Sequence, residues 1–175
     1  MNNVSIQYIN QLSKQHFVSL VGDIFEHSAW VAEEVYPKRP FSSVEQLHEK
    51  MKEIVAQASA EKQLELLQAH PNLGANIAMT SASTAEQTKA GLQNLTQDEY
   101  EQFSSLNQTY MEKFPFPFIL AVRGKQKEDI YKAMQNRLLN TEQAEFDTAL
   151  EEVYKIAFFR LTDKVIEDKE AKKRA

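Results

Sequence analysis

Apolar residues recur three and four positions apart along almost the whole chain, and the residues that would interrupt such a pattern are few and clustered. Of 175 residues only 4 are glycine and 5 proline, and four of the prolines fall in PKRP (37–40) and FPFPF (114–118). This spacing marks amphipathic helices, because about 3.6 residues complete a turn and positions three and four apart share a face. Phe17, Leu20, Val21, Ile24 and Phe25 define one helix, with Ser13 as N-cap. SAWVAEEVY (28–36) predicts a short helix stopped by PKRP, since proline removes a backbone donor. Ser43 and Gln46 stand at capping-box spacing ahead of Leu47, Met51, Ile54 and Val55. Ser59 caps a helix that carries Leu64, Leu66 and Leu67 up to His70. Thr96 and Glu99 form another capping box before Tyr100, Phe103, Leu106, Tyr110 and Phe114. Helices resume around Ile130, Met134 and Leu138, and again from Thr141 through Phe146, Leu150, Val153, Ala157 and Leu161. The expected fold is all-α: a single compact domain of about eight helices over residues 1–166, with a charged tail or the start of a linker at 167–175.

One segment breaks the pattern. In KFPFPFILAVRGK (113–125) two prolines at alternate positions forbid a regular helix and favour extended backbone. A single strand is one outcome, although no partner strand is evident elsewhere.

Composition narrows the function classes. A net charge of −5 argues against nucleic-acid binding, which calls for a basic surface. No apolar run approaches the roughly 20 residues that span a membrane. The start, MNNVSIQYINQLSKQ, lacks the basic-then-apolar layout of a secretory signal. With no cysteine there is no disulfide framework, thiol nucleophile or thiolate metal site. A cytoplasmic enzyme or interaction module fits these bounds. The four histidines show no metal-ligand spacing, and no phosphate-binding glycine loop or nucleophile elbow occurs, so no metal site is expected.

Three local features carry possible chemistry. His70 precedes Pro71, which pushes residue 70 away from α geometry and restricts the direction of its side chain. An imidazole gives or takes a proton near neutral pH. The same histidine would also end a helix favourably by meeting the negative end of its dipole. Ser83 and Glu86 in STAEQ (83–87) stand at capping-box spacing, a purely structural role. That geometry equally offers free N–H groups, a carboxylate and an amide to a small, nitrogen-rich anion. Arg160, within the apolar face of KIAFFRL, is a snorkelling side chain, an ion-pair member or a carboxylate clamp. Arg137 and Glu145, flanking a helix junction, read as a structural pair or as interface charges.

Taken in order, HPNLG (70–74), STAEQ followed by KAGL (89–92), LNQTYMEKFPFPFILAVRG (106–124) and RLLN (137–140) resemble the 2-oxo-4-hydroxy-4-carboxy-5-ureidoimidazoline (OHCU) decarboxylases. The resemblance runs from IFEHSAWVAE (24–33) through FFRL (158–161). Any one piece is common, but the ordered series is specific. One departure is Pro115, where the family more often has glycine, as in FGFPF; the substitution removes an N–H from the loop.

The resemblance implies an all-helical enzyme without metal or organic cofactor, usually a homodimer and sometimes fused to urate oxidase. It implies decarboxylation of OHCU to (S)-allantoin with release of CO2, the last step of urate breakdown to allantoin. It also assigns residues. His70 would be the catalytic acid–base group and Glu86 the second catalytic group. Pro71, Ser83, Thr84, Ala85, Glu86 and Gln87 would line the substrate, as would the backbone of Phe118, Ile119, Leu120, Ala121 and Val122. Arg160 would hold the substrate by charged hydrogen bonds. The chemistry is compatible with the composition: the substrate's own C=N bond accepts the electron pair, so the protein need only orient the carboxylate and manage protons. The competing readings are a helical interaction module without turnover and another ureide-metabolising enzyme that releases no CO2.

Overall fold

The computed structural model describes residues 3–74 and 79–167. The chain forms two compact units, one comprising residues up to Leu66 together with those from Tyr154, the other running from Leu67 to Val153. Nine α-helices occur among the described residues, and the all-α expectation holds.

In the first unit, β1 (Val4–Ser5) leads into α1 (Ile6–Gln11), followed by α2 (Lys14–Val21), α3 (Trp30–Val35), a 3₁₀ turn over Tyr36–Lys38 and α4 (Val44–Gln57). Caps set these starts. The Ser13 hydroxyl accepts from His16 N–H at 3.3 Å and the Ser43 hydroxyl from Gln46 N–H at 3.0 Å. The Ser43–Gln46 capping box is not closed as expected, because Gln46 Oε1 reaches Ser42 N–H (2.7 Å) rather than that of Ser43. The helix expected to run through Phe25 stops at Val21. A Cβ at Gly22 would lie 2.4 Å from the Val18 carbonyl oxygen, so the chain turns at a residue that has none. Ile24 and Phe25 are nonetheless buried, from a turn rather than from a helix.

Neither α1 nor the two-residue parallel pairing of β1 with β2 (Val165–Ile166) was legible, because two residues are too few to display a period. Beyond β2, Glu167 Oε1 accepts from Val44 N–H at 2.8 Å and so joins the start of α4. The tail expected at 167–175 otherwise lies outside the described residues.

α5 (Ala60–Gln68) and α9 (Glu142–Lys164) each contribute to both units; the second unit also contains α6 (Ser81–Lys89), α7 (Gln97–Lys113) and α8 (Lys127–Arg137). Ser59 caps α5 through Lys62 N–H at 3.2 Å. Both bonds of the Thr96–Glu99 capping box are present at the start of α7. The buried stripe of α7 runs through Phe103, Asn107, Tyr110 and Phe114, while Tyr100, expected inside, is exposed. Tyr100 shares this face, seven residues before Asn107, but sits in the first turn, where the helix is open to solvent; Asn107, rather than Leu106, takes the inward position and bonds Leu73 C=O there.

Lys127 ties α8 to the cap of α7 through a 2.6 Å ion pair with Glu99, the two side chains being 29% and 31% exposed. The Lys127 hydrogen bond, and then the Thr96 N–H, hold Glu99 below the usual glutamate range; Glu99 in turn raises Lys127 above its own. The Glu99 contribution is present above the ordinary glutamate pKa and is lost as pH falls through the lowered value. The Lys127 contribution is present below the ordinary lysine pKa and is lost as pH rises through the raised one. Carboxyl titration by NMR should place Glu99 below the exposed glutamates, and Lys127→Met should move it back up. A midpoint unmoved by that substitution contradicts the pairing.

Candidate active site

The second unit joins HPNLG and STAEQ by direct hydrogen bonds and ties FPFPF to the end of α5. α5 ends at Gln68, two residues before the expected boundary, and His70 lies in the loop that follows, its N–H donating to Leu67 C=O at 3.2 Å. Pro71 explains the early stop, because the residue before a proline is disfavoured in α geometry. The His70 side chain is buried, at 8% exposure. Its loop is held from two helices. Gln87 Oε1 accepts from Gly74 N–H at 3.0 Å and Gln87 Nε2 approaches Asn72 C=O at 3.5 Å, while Asn107 Nδ2 donates to Leu73 C=O at 2.9 Å. Gly74 has φ +73°, a backbone that only glycine adopts without strain, so the turn after HPNL requires it.

The start of α6 differs from expectation. Thr80, not Ser83, is the N-cap; its side chain accepts from Ser83 N–H at 3.3 Å. Ser83 is therefore the third helical residue, and Glu86 and Gln87 fall in the second turn. The reason is burial: Ser83 and Gln87, four apart on one face, are 4% and 1% exposed, which a frayed pre-helical Ser83 would not allow. Thr84 and Ala85 are exposed, and Glu86 is half-buried. Gln87, expected to face a ligand, uses its amide on the His70 loop instead.

The FPFPF segment is neither helix nor strand from Phe114 to Val122, and Phe114 has extended backbone (φ −121°, ψ 142°). Phe114, Phe116 and Phe118, at alternate positions, surround the Tyr110 ring at centroid distances of 4.7, 6.2 and 5.5 Å. An extended chain places every second side chain on one face, so the prolines and the aromatic cluster specify the same conformation. Pro115 is exposed and its C=O accepts from Gln68 Nε2 at 2.8 Å, which ties this segment to the end of α5. Phe118, Ile119, Leu120, Ala121 and Val122 are all buried.

Below this segment lies a buried polar network. Glu145, fully buried, accepts from Tyr110 Oη (2.6 Å), Arg137 Nε (2.7 Å) and Asn140 Nδ2 (2.9 Å). Burial first, then the Glu145 carboxylate, push the Tyr110 phenol far above its ordinary range, so it stays a hydrogen-bond donor. Arg137 also donates from Nη1 to Ile119 C=O at 2.5 Å and lies 4.4 Å from the Phe118 ring. Glu152, 7% exposed, accepts from Ala121 N–H at 2.8 Å.

A family model described as OHCU decarboxylase matches residues 10–162. The chain belongs to the OHCU decarboxylase family. Within it, a 2-oxo-4-hydroxy-4-carboxy-5-ureidoimidazoline decarboxylase of Haloferax volcanii is 48% identical over 164 residues, covering 94% of this chain and 98% of that protein. The uric acid degradation bifunctional protein of Bacillus sp. strain TB-90 is 49% identical over 158 residues, 90% of this chain. The chain spans 32% of that protein's length. A crystal structure of an (S)-allantoin synthase superposes with a TM-score of 0.77 at 37% identity, covering 93% of this chain and 54% of the other.

In this OHCU decarboxylase family member, His70, Pro71, Ser83 to Gln87 and Phe118 to Val122 all belong to the second unit, and Arg160 belongs to the first. Arg160 is 5% exposed, and its Nη1 lies 3.0 Å from Glu26 Oε2 and 3.4 Å from Asp23 C=O. The ion-pair reading of Arg160 is thus met by Glu26. Among the described residues, no group of three or more His, Asp or Glu is arranged to hold a metal ion.

Besides Glu26, the residues Asn107 and Glu152 escaped the sequence reading. Both had a signal: each is a polar residue at the inward phase of an apolar stripe, Asn107 four after Phe103 and Glu152 seven after Glu145.

The grip of Gln87 on the loop is testable. Gln87→Leu leaves Gly74 N–H without its acceptor, which should lower stability by about 1–3 kcal/mol. A fall in the urea midpoint with faster Gly74 amide exchange is expected, and an unchanged midpoint would refute it.

Proposed function

We propose that the protein decarboxylates OHCU to (S)-allantoin, releasing CO2 as the last step of urate degradation to allantoin. What carries the reading is the family match across residues 10–162, together with the hydrogen bond that joins HPNLG to STAEQ and the one that ties FPFPF to the end of α5, two residues before His70.

The chemistry asks for little beyond positioning and proton transfer. The bond from the ring carbon to the carboxylate breaks, and its electron pair moves into the adjacent C=N bond, whose nitrogen takes a proton. CO2 leaves. The hydroxyl proton is then lost as that carbon becomes a carbonyl, and the neighbouring carbon takes a proton on one face, so one proton is gained overall. His70, in a loop braced from α6 and α7, is the acid–base group of this sequence, and Glu86 is the second catalytic group. The N–H groups ahead of Ser83 that begin α6 offer donors to the nitrogen-rich anion, while Ser83 N–H is bonded to the Thr80 side chain. Water-free orientation of the carboxylate perpendicular to the accepting π-system supplies the remainder of the acceleration. The assignment of Arg160 to the substrate, a homodimeric state and a covalent or physical link to urate oxidase rest on the resemblance, and a cytoplasmic location rests on the sequence composition.

The test is circular dichroism while urate oxidase and 5-hydroxyisourate hydrolase generate OHCU, with this protein added last. A faster rise of the (S)-allantoin signal and loss of OHCU absorbance are expected. An unchanged, racemic decay would remove the function.

A further inference from the structure

The segment Phe118–Val122 has no sheet to hold it, yet its backbone is gripped at two points on alternate residues. Ile119 C=O accepts from Arg137 Nη1, and Ala121 N–H donates to Glu152 Oε2 at 2.8 Å. Both grips trace to one helix. Glu145 and Glu152 are seven residues apart on α9, which is about two turns and therefore one face, separated by about 10.5 Å along the axis. Glu152 holds Ala121 directly; Glu145 holds Ile119 through Arg137, which it orients by a hydrogen bond at Nε (2.7 Å) and an ion-pair approach at Nη2 (2.5 Å). Between the two carboxylates Ala149 is fully buried and adds only a methyl group to that face. Tyr110 and Asn140 complete the shell around Glu145, and the Arg137 guanidinium lies over the Phe118 ring.

In a planar trans peptide the C=O of one residue and the N–H of the next point in opposite directions. Fastening Ile119 and Ala121 to α8 and α9 therefore turns the N–H and C=O of Leu120 away from those helices. A buried carboxylate with its guanidinium is an expensive way to tether a loop if packing alone were required, since apolar residues of similar volume do as well. We propose that Arg137, with Glu145 behind it, and Glu152 are positioning residues. They form a two-point clamp that sets the direction in which the backbone of Phe118–Val122 presents its donors and acceptors to the substrate. This rests on the decarboxylase reading.

The test compares Arg137→Lys, Glu152→Ala and Glu152→Gln with wild type in the OHCU assay, alongside far-UV circular dichroism and thermal melting. Lysine keeps the charge but cannot bridge Glu145 and Ile119 C=O with a planar fork. Arg137→Lys and Glu152→Ala should each raise KM about tenfold or more, with kcat changed by less than about threefold, in protein that remains folded. Glu152→Gln retains an acceptor for Ala121 N–H and should recover most of that loss. Melting temperatures that fall while KM per folded molecule stays at the wild-type value would overturn the clamp. So would equal damage from Glu152→Gln and Glu152→Ala. If Glu152→Ala does not fold, Arg137→Lys decides. An inactive wild type would instead remove the proposed function and this inference with it, an outcome distinct from an active wild type with indifferent variants.

Discussion

Replacing His70 with asparagine should lower OHCU turnover by at least about a hundredfold, the range that a positioned acid–base group contributes. The variant should stay folded. His70 lies outside α5, in a loop that is fixed by bonds at Gly74 N–H, Leu73 C=O and Asn72 C=O, which the substitution leaves in place. Asparagine leaves a hydrogen-bonding side chain in a site that is 8% exposed, so the stability change should not exceed about 1–3 kcal/mol. Loss of OHCU absorbance reads the turnover, and urea unfolding with an unchanged slope reads the fold. Alanine at position 70 should give the same kinetic loss. Near-normal turnover by either variant would remove His70 from the chemistry and return it to the role of a helix-end residue.

Arg160→Met should produce the largest loss of stability, about 3–5 kcal/mol, because it leaves the Glu26 carboxylate buried without its guanidinium. Glu26 is fully buried and its Oε2 lies 3.0 Å from Arg160 Nη1. Such a loss is a large share of the stability of an ordinary domain, about 5–15 kcal/mol. The double variant Glu26→Gln with Arg160→Met should recover a substantial part of it, since no uncompensated charge is then buried. Urea midpoints for the two single variants and the double decide the matter. Equal losses in Arg160→Met and in the double variant would show that packing, not charge pairing, is what Arg160 provides. The comparison also bears on function. Inactive Arg160→Met alone says nothing about substrate binding, whereas a double variant that is stable and still inactive would support the substrate role that the family resemblance gives Arg160.

Most of the helical framework was legible because its determinants are local. Ser13, Ser43, Ser59 and Thr96 cap where their spacing indicated, each through a bond to an N–H three residues on. FPFPF was legible as a non-helical break because proline acts on its own φ and on the residue before it. Errors arose where two local signals competed. Thr80 and Ser83 are both competent N-caps, and only the burial of Ser83 and Gln87 selects the earlier one. Likewise Gln46 could reach either of two N–H groups, and Leu106 and Asn107 are adjacent candidates for one inward position of α7.

By itself the sequence determined the helix-rich class, most element positions and the motif series that marks the family, since periods, caps and proline breaks act within about four residues. Tertiary structure alone decided the partners of the buried polar groups: Arg160 with Glu26 across 134 positions, Asn107 with Leu73 across 34, Glu152 with Ala121 across 31. The reason is desolvation. A buried charge or amide must find a partner wherever the topology brings one within about 3 Å, and no local spacing encodes which residue that will be.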